Sequence, residues 1–225
     1  MNYKLIFRFC VFLLYLQSCI LFAFDGVLES YIPAADRSRT IRHDYYALCF
    51  DFQRNTPRWV LWRITPERML MPACHRAGMH FVADSAAYPP PSNYVGSGYD
   101  LGHLCPAEDM RFDFDAMKST FVISNAVPQT PRLNRGTWKS LESQCRRRAL
   151  AGHELILLAG PLYLAIPPPT IGRDRVAVPS HCWKLVIDRT DGTVAGYVFP
   201  NTATVTGVPA MFRKAPEEVR QAAGL

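Results

Sequence analysis

The sequence predicts an α+β fold, a mixed α/β sandwich whose largely antiparallel sheet is interrupted by one strong helix. Three observations carry that expectation. Two pairs of short runs rich in aromatic and β-branched residues are each joined by turn chemistry, the pattern of β-hairpins. One stretch, residues 134–151, lacks proline and repeats apolar residues at helical spacing. The chain of 225 residues, 49% of them hydrophobic, can fill one sizeable core but not two. A single domain over residues 24–225 is therefore expected.

The elements follow in order. Lys4 and Arg8 precede a run over residues 9–24 that is apolar except for Gln17 and Ser18, the layout of an export signal. The run is short of the ~20 residues that span a bilayer. Cleavage near Ala23 is expected, which makes residues 1–23 a signal peptide and the mature protein secreted or periplasmic with no stable membrane partner. An uncleaved anchor is the alternative. Removal would leave Cys49, Cys74, Cys105, Cys145 and Cys182, an odd set that allows at most two disulfides. Cys74-His75 and His181-Cys182 are adjacent pairs and no CxxC occurs, which argues against structural zinc.

Residues 25–43 read as a lead-in. Residues 45–52 and 58–64 form the first hairpin around Arg54-Asn55-Thr56-Pro57. Residues 72–98 hold Pro72, Gly78, Pro89-Pro90-Pro91, Gly96 and Gly98, too much punctuation for a long element. Residues 121–123 make a short apolar strand before Asn125. Trp138, Leu141, Cys145 and Leu150 recur at roughly helical spacing in the helix, which ends before Gly152. Residues 154–159 form a strand stopped by Gly160-Pro161, and residues 181–187 and 194–199 form the second hairpin. A surface loop around Pro167-Pro168-Pro169 and a closing helix at 216–222 complete the chain.

Chemistry gathers between Tyr99 and Glu142. His103 is a side chain able to take a proton near neutral pH. Gly102 before it allows an unusual turn, and Asp100 is close enough to organise that turn or the ring. On a continuous helix Asn134 and Glu142 lie about two turns apart, ~12 Å along the axis with an offset of ~80°. That gap suits one hydrated Mg2+ better than direct ligation by both. The bland alternative makes Asn134 a helix cap and Glu142 a solvated acid. Asn125 can equally hold its own loop. Arg132, Arg135 and Lys139 cluster beside this stretch, and the net charge of +6 favours a polyanionic partner.

Asp100-Leu101-Gly102-His103, Ser124-Asn125 with Pro128-Gln129, and Asn134 with Trp138, Leu141 and Glu142 closely resemble the DNA/RNA non-specific endonucleases. The resemblance covers residues 45–197 and includes the spacing of Asn125, Asn134 and Glu142. It implies a ββα-metal (His-Me) finger and magnesium-dependent cleavage of DNA and/or RNA with little sequence specificity, leaving 5′-phosphate ends. Mn2+ is the expected substitute ion. His103 would be the general base, Asn134 the direct metal ligand and Glu142 the holder of water in the ion's shell. Asn125 would support the site and Asp100 orient the histidine turn. Arg76 would stabilise charge on the phosphate, with Arg68 as the alternative, while Arg132, Arg135 and Lys139 would contact substrate. The family most often has arginine where this chain has Leu101, so a catalytically inactive nucleic-acid-binding protein is the competing reading. Homodimerisation is left open.

Overall fold

The computed structural model describes residues 24–225 except Ala86; the expected signal peptide lies outside the described residues. The chain opens with two short 3-10 turns, Leu28–Tyr31 and Ala34–Arg39, and strand β1 (Ile41–Arg42). β2 (Tyr46–Asp51) and β3 (Thr56–Ile64) form the expected first hairpin, followed by the short helix α1 (Pro66–Leu70). After a long loop come β4 (Asp100–His103), α2 (Phe114–Ser119), β5 (Ala126–Gln129) and α3 (Lys139–Leu150). β6 (Leu155–Leu162), the small ribbon β7 (Thr170–Ile171) and β8 (Val176–Ala177), and the second hairpin β9 (His181–Asp188) with β10 (Val194–Pro200) follow. β11 (Arg213–Lys214) and α4 (Pro216–Ala223) close the chain.

Seven strands make one antiparallel sheet in the order β1-β2-β3-β6-β9-β10-β11, in agreement with the predicted class. Both faces are covered, which is why these strands read as nearly unbroken apolar runs. Alternation still sorts the side chains. Ala47, Cys49, Trp59, Leu61, Ile156, Leu158, Trp183 and Leu185 pack with Leu28, Ile32 and Val219. Tyr46, Leu48, Val60, Trp62, Leu155, Leu157 and Val186 pack instead with Trp138, Leu141, Cys145 and Ala149 from the segment ending in α3. Helix α3 is thus seated by an apolar stripe on the sheet, as its spacing predicts for Trp138, Leu141 and Cys145, but Ala149 and not the exposed Leu150 completes the buried face.

Three local expectations change. Residues 121–123 do not form the strand before Asn125; a 3-10 turn at Ile123–Asn125 leads into β5, and the finger's hairpin is β4 with β5. The predicted helix at 134–151 starts as a wide turn, Leu133–Trp138, broken at Gly136 (φ −106°, ψ −110°), and becomes regular only at Lys139. The geometry of a continuous helix therefore does not apply between Asn134 and Glu142. β6 runs through Gly160-Pro161 because Gly160 lets the Arg58 carbonyl and the Trp183 ring approach closely, the ring at 2.9 Å from where a Cβ would stand. The five described cysteines are all unpaired. Among the described residues no helix is long and apolar enough to cross a membrane.

Candidate active site

The β4–β5 hairpin sets Asp100 opposite Gln129 and His103 opposite Ala126. Gly102 is needed here for space and not for an unusual turn: it lies in the strand, and a Cβ would run into the fully buried Gln129 side chain. At the end of β4 the His103 ring sits between Phe81 and Phe121, with ring centroids 4.5 and 4.9 Å away. Its Nε2 is buried without a hydrogen-bond partner. Burial, reinforced by the positive charge of Arg76, pushes the imidazole down to about 3, so the ring is neutral at ordinary pH.

Arg76 reaches the same place from the preceding loop, its guanidinium 4.8 Å from the Phe121 ring centre. The alternative, Arg68, is committed elsewhere: it pairs with Asp25 at 3.1 Å and lies over Tyr45 and Phe112.

Asp100 does not orient the histidine turn. On a pleated strand its side chain leaves on the face opposite His103, and its carboxylate accepts from Asn134 Nδ2 at 2.9 Å and from Arg135 Nε and a terminal Arg135 nitrogen at 2.8 and 2.6 Å. These partners hold the Asp100 carboxyl below its usual value against the opposing effect of burial. Asn125 lies outside the cleft lining, in keeping with a supporting place. It is fully buried, accepts from the Cys105 N–H at 2.9 Å and donates to the Cys105 and Thr120 carbonyls, each at 2.9 Å. It fastens the loop that leaves His103.

Glu142 is the opposite of a solvated acid. Burial pushes it up to about 7, with Asp109 adding to the rise while Lys184, Arg146 and the Trp138 indole oppose it. Two neighbours of Glu142 escaped the motif reading. Asp109 is buried and accepts from Trp62 Nε1 at 2.9 Å and from Arg146 at 2.8 Å. Lys184 is fully buried, with its Nζ 3.8 Å from Glu142 Oε1. A signal for it existed: in the alternation of β9 it shares a face with Cys182 and Val186, where a charge does not belong.

Arg76, Leu101, His103, Asn134, Arg135, Lys139, Glu142 and Arg146 line one cleft of about 560 Å³. Arg132 is set apart from it, in an adjoining depression where it donates to the Val205 carbonyl at 3.2 Å. His153, Asp188 and Asp191 also cluster, away from this cleft, but the Arg148 guanidinium bridges both aspartates.

Comparison with known proteins matches residues 27–221 to the DNA/RNA non-specific endonuclease family. The mouse mitochondrial nuclease EXOG is 33% identical over 80% of this chain and 54% of its own length. Human mitochondrial endonuclease G is 33% identical over 80% of this chain and 66% of its own length. The chain thus spans between half and two thirds of these relatives. A chain of the solved EndoG/EndoGI complex superimposes with a TM-score of 0.77 and 30% identity, covering 83% of this chain and 84% of that one. With the His103 cleft seated on the same fold, the chain belongs to the DNA/RNA non-specific endonuclease family.

Proposed function

We propose that this chain is a metal-dependent endonuclease that hydrolyses phosphodiester bonds in DNA and/or RNA with little sequence preference, in a secreted or periplasmic location. The observation that carries the reading is the convergence of a neutral histidine, an amide, a largely buried carboxylate and an arginine on one cleft.

His103 is the general base. With Nε2 buried, Nδ1 is the nitrogen left to accept a proton from water. A base held at about 3 is weak, but part of the depression comes from Arg76. A phosphodiester anion seated against Arg76 offsets that charge, so base strength rises as substrate arrives. Arg76 then stabilises the negative charge that grows on the phosphate oxygens.

Asn134 donates its Nδ2 to Asp100, which fixes the amide and leaves Oδ1 as an acceptor for a cation. With Glu142 this is an all-oxygen donor set, which suits Mg2+, with Mn2+ as a substitute. When bound, the ion supplies Lewis-acid stabilisation of the phosphate and the leaving oxygen. Asp100 therefore acts as a positioning residue for Asn134 and Arg135. Lys139 is exposed at the cleft and available to phosphates along the strand, Arg135 is held beside it by Asp100 with its remaining donors exposed, and Arg132 extends this basic surface.

Supercoiled plasmid incubated with Mg2+ or with excess chelator tests the reading. Nicking that needs the metal and falls by about 10² to 10⁴ in a folded His103→Ala variant is expected. Near wild-type nicking by that variant would remove the assignment.

A further inference from the structure

Lys184 lies on the face of β9 that packs beneath α3, where its neighbours in alternation, Cys182 and Val186, are apolar. It is fully buried, so its ammonium cannot reach water as surface lysines do. Its Nζ has no hydrogen-bond partner. Burying an ammonium without a hydrogen-bond partner is costly, and an apolar side chain of the same length would avoid that cost. What surrounds the cation is therefore informative. The Trp138 ring centre lies 4.1 Å from Nζ, the Trp62 ring centre 5.1 Å, and Glu142 Oε1 3.8 Å.

Trp138 and Glu142 are neighbours one turn apart at the start of the finger helix, and Trp138 Nε1 donates to the His103 carbonyl at 3.3 Å. One buried cation thus touches the carboxylate of the cleft and the indole that braces the end of β4. We propose that Lys184 is a positioning residue of the active site, its ammonium holding the Glu142 carboxylate and the Trp138 ring from below in the orientation the cleft uses. The inference rests on the reading of Glu142 given above. It separates stability from activity: an apolar replacement relieves the burial cost of the ammonium yet releases the carboxylate.

The test compares Lys184→Met, Lys184→Arg, Glu142→Gln and the double variant Lys184→Met/Glu142→Gln by thermal melting, by kcat and KM in plasmid nicking, and by Mn2+ binding without nucleic acid, read from the free-ion paramagnetic resonance signal. Lys184→Met is expected to fold, to lose kcat by about 10- to 100-fold with little change in KM, and to weaken Mn2+ binding. Lys184→Arg should recover part of both losses, and the double variant should be no worse than Glu142→Gln alone, because the two residues act as one unit. Wild-type kcat and Mn2+ binding in folded Lys184→Met, or losses that multiply in the double variant, would overturn the proposal. If Glu142→Gln itself behaves as wild type, the reading of Glu142 fails and takes this inference with it; if only Glu142→Gln is impaired, the inference about Lys184 fails alone. Lys184→Gln serves in place of Lys184→Met should the latter not fold, and failure of both to fold would refute the separation of stability from activity.

Discussion

His103 is under two opposing demands: it must stay neutral to accept a proton, yet the aromatic pocket and Arg76 that keep it neutral also weaken it as a base. Arg76→Ala should therefore slow cleavage by about 10²- to 10³-fold, the loss typical of a charge-stabilising group. It should also move the acidic limb of the kcat/KM profile to higher pH, since one of the two causes depressing the imidazole is gone. A limb that stays in place would separate Arg76 from His103. Glu142 carries the opposite sign. Its folded value of about 7 exceeds the ordinary 4.5, so the folded state binds the proton more tightly than the unfolded one. Its contribution to stability is complete below pH 4.5 and is lost as pH rises through 7. In metal-free protein, urea denaturation should show stability declining across that window, and Glu142→Gln should flatten the decline. Leu101 is the remaining residue in question. It lines the cleft and packs partly against the cluster of Tyr94, Ile123, Ile171, Val176 and Val178. The base and the oxygen donors do not depend on it, so the native protein should cleave with Mg2+, and Leu101→Arg should change the rate without creating activity. Silence of the native protein on DNA and RNA, with ready cleavage by Leu101→Arg, would establish the inactive reading.

The finger is an element-scale device. β4 delivers His103, the broken turn at Leu133–Trp138 delivers Asn134, and α3 delivers Glu142, while Asn125 ties the loop after His103 to the turn that precedes β5. The two asparagines should accordingly fail in different ways. Asn125→Ala leaves buried backbone groups of Cys105 and Thr120 without partners, so a loss of about 3 kcal/mol is expected in chemical denaturation, with little change in the metal concentration needed for half activity. Asn134→Ala should leave stability nearly unchanged and raise that concentration. A larger rise for Asn125→Ala would reverse the two roles.

For the molecule as a whole, the cations at the cleft and the net charge of +6 suit phosphate contacts. Affinity for nucleic acid should fall steeply with salt, with a logarithmic slope of about −0.7 to −0.9 for each phosphate neutralised. Cleavage sites mapped on a long duplex should show little base preference, and cutting confined to one short sequence at moderate salt would contradict this. The same scale explains the stability of the scaffold. Sheet faces buried on both sides, by the N-terminal turns and α4 on one and by the finger on the other, seat α3 against Trp62 and leave the cleft at the edge of a rigid core.

Both hairpins, the closing helix and the antiparallel class were legible in the chain because local turn chemistry and alternation encode them directly, and the motif spacing singled out His103, Asn134 and Glu142, which the fold brings to one cleft. The β4–β5 pairing was not, since its strands are only four residues each and lie 22 residues apart, too short and too distant for periodicity to register. Nor were the partners of Asp100, the burial of Glu142 or its contact with Lys184. Those depend on which faces meet when the finger packs on the sheet, and a charge at an inward strand position announces a buried partner without naming it. The folded arrangement alone paired Asp100 with Asn134 and named the partners of Asn125, and it decided between Arg76 and Arg68 at the cleft, because each depends on distances across elements that sequence separation does not contain.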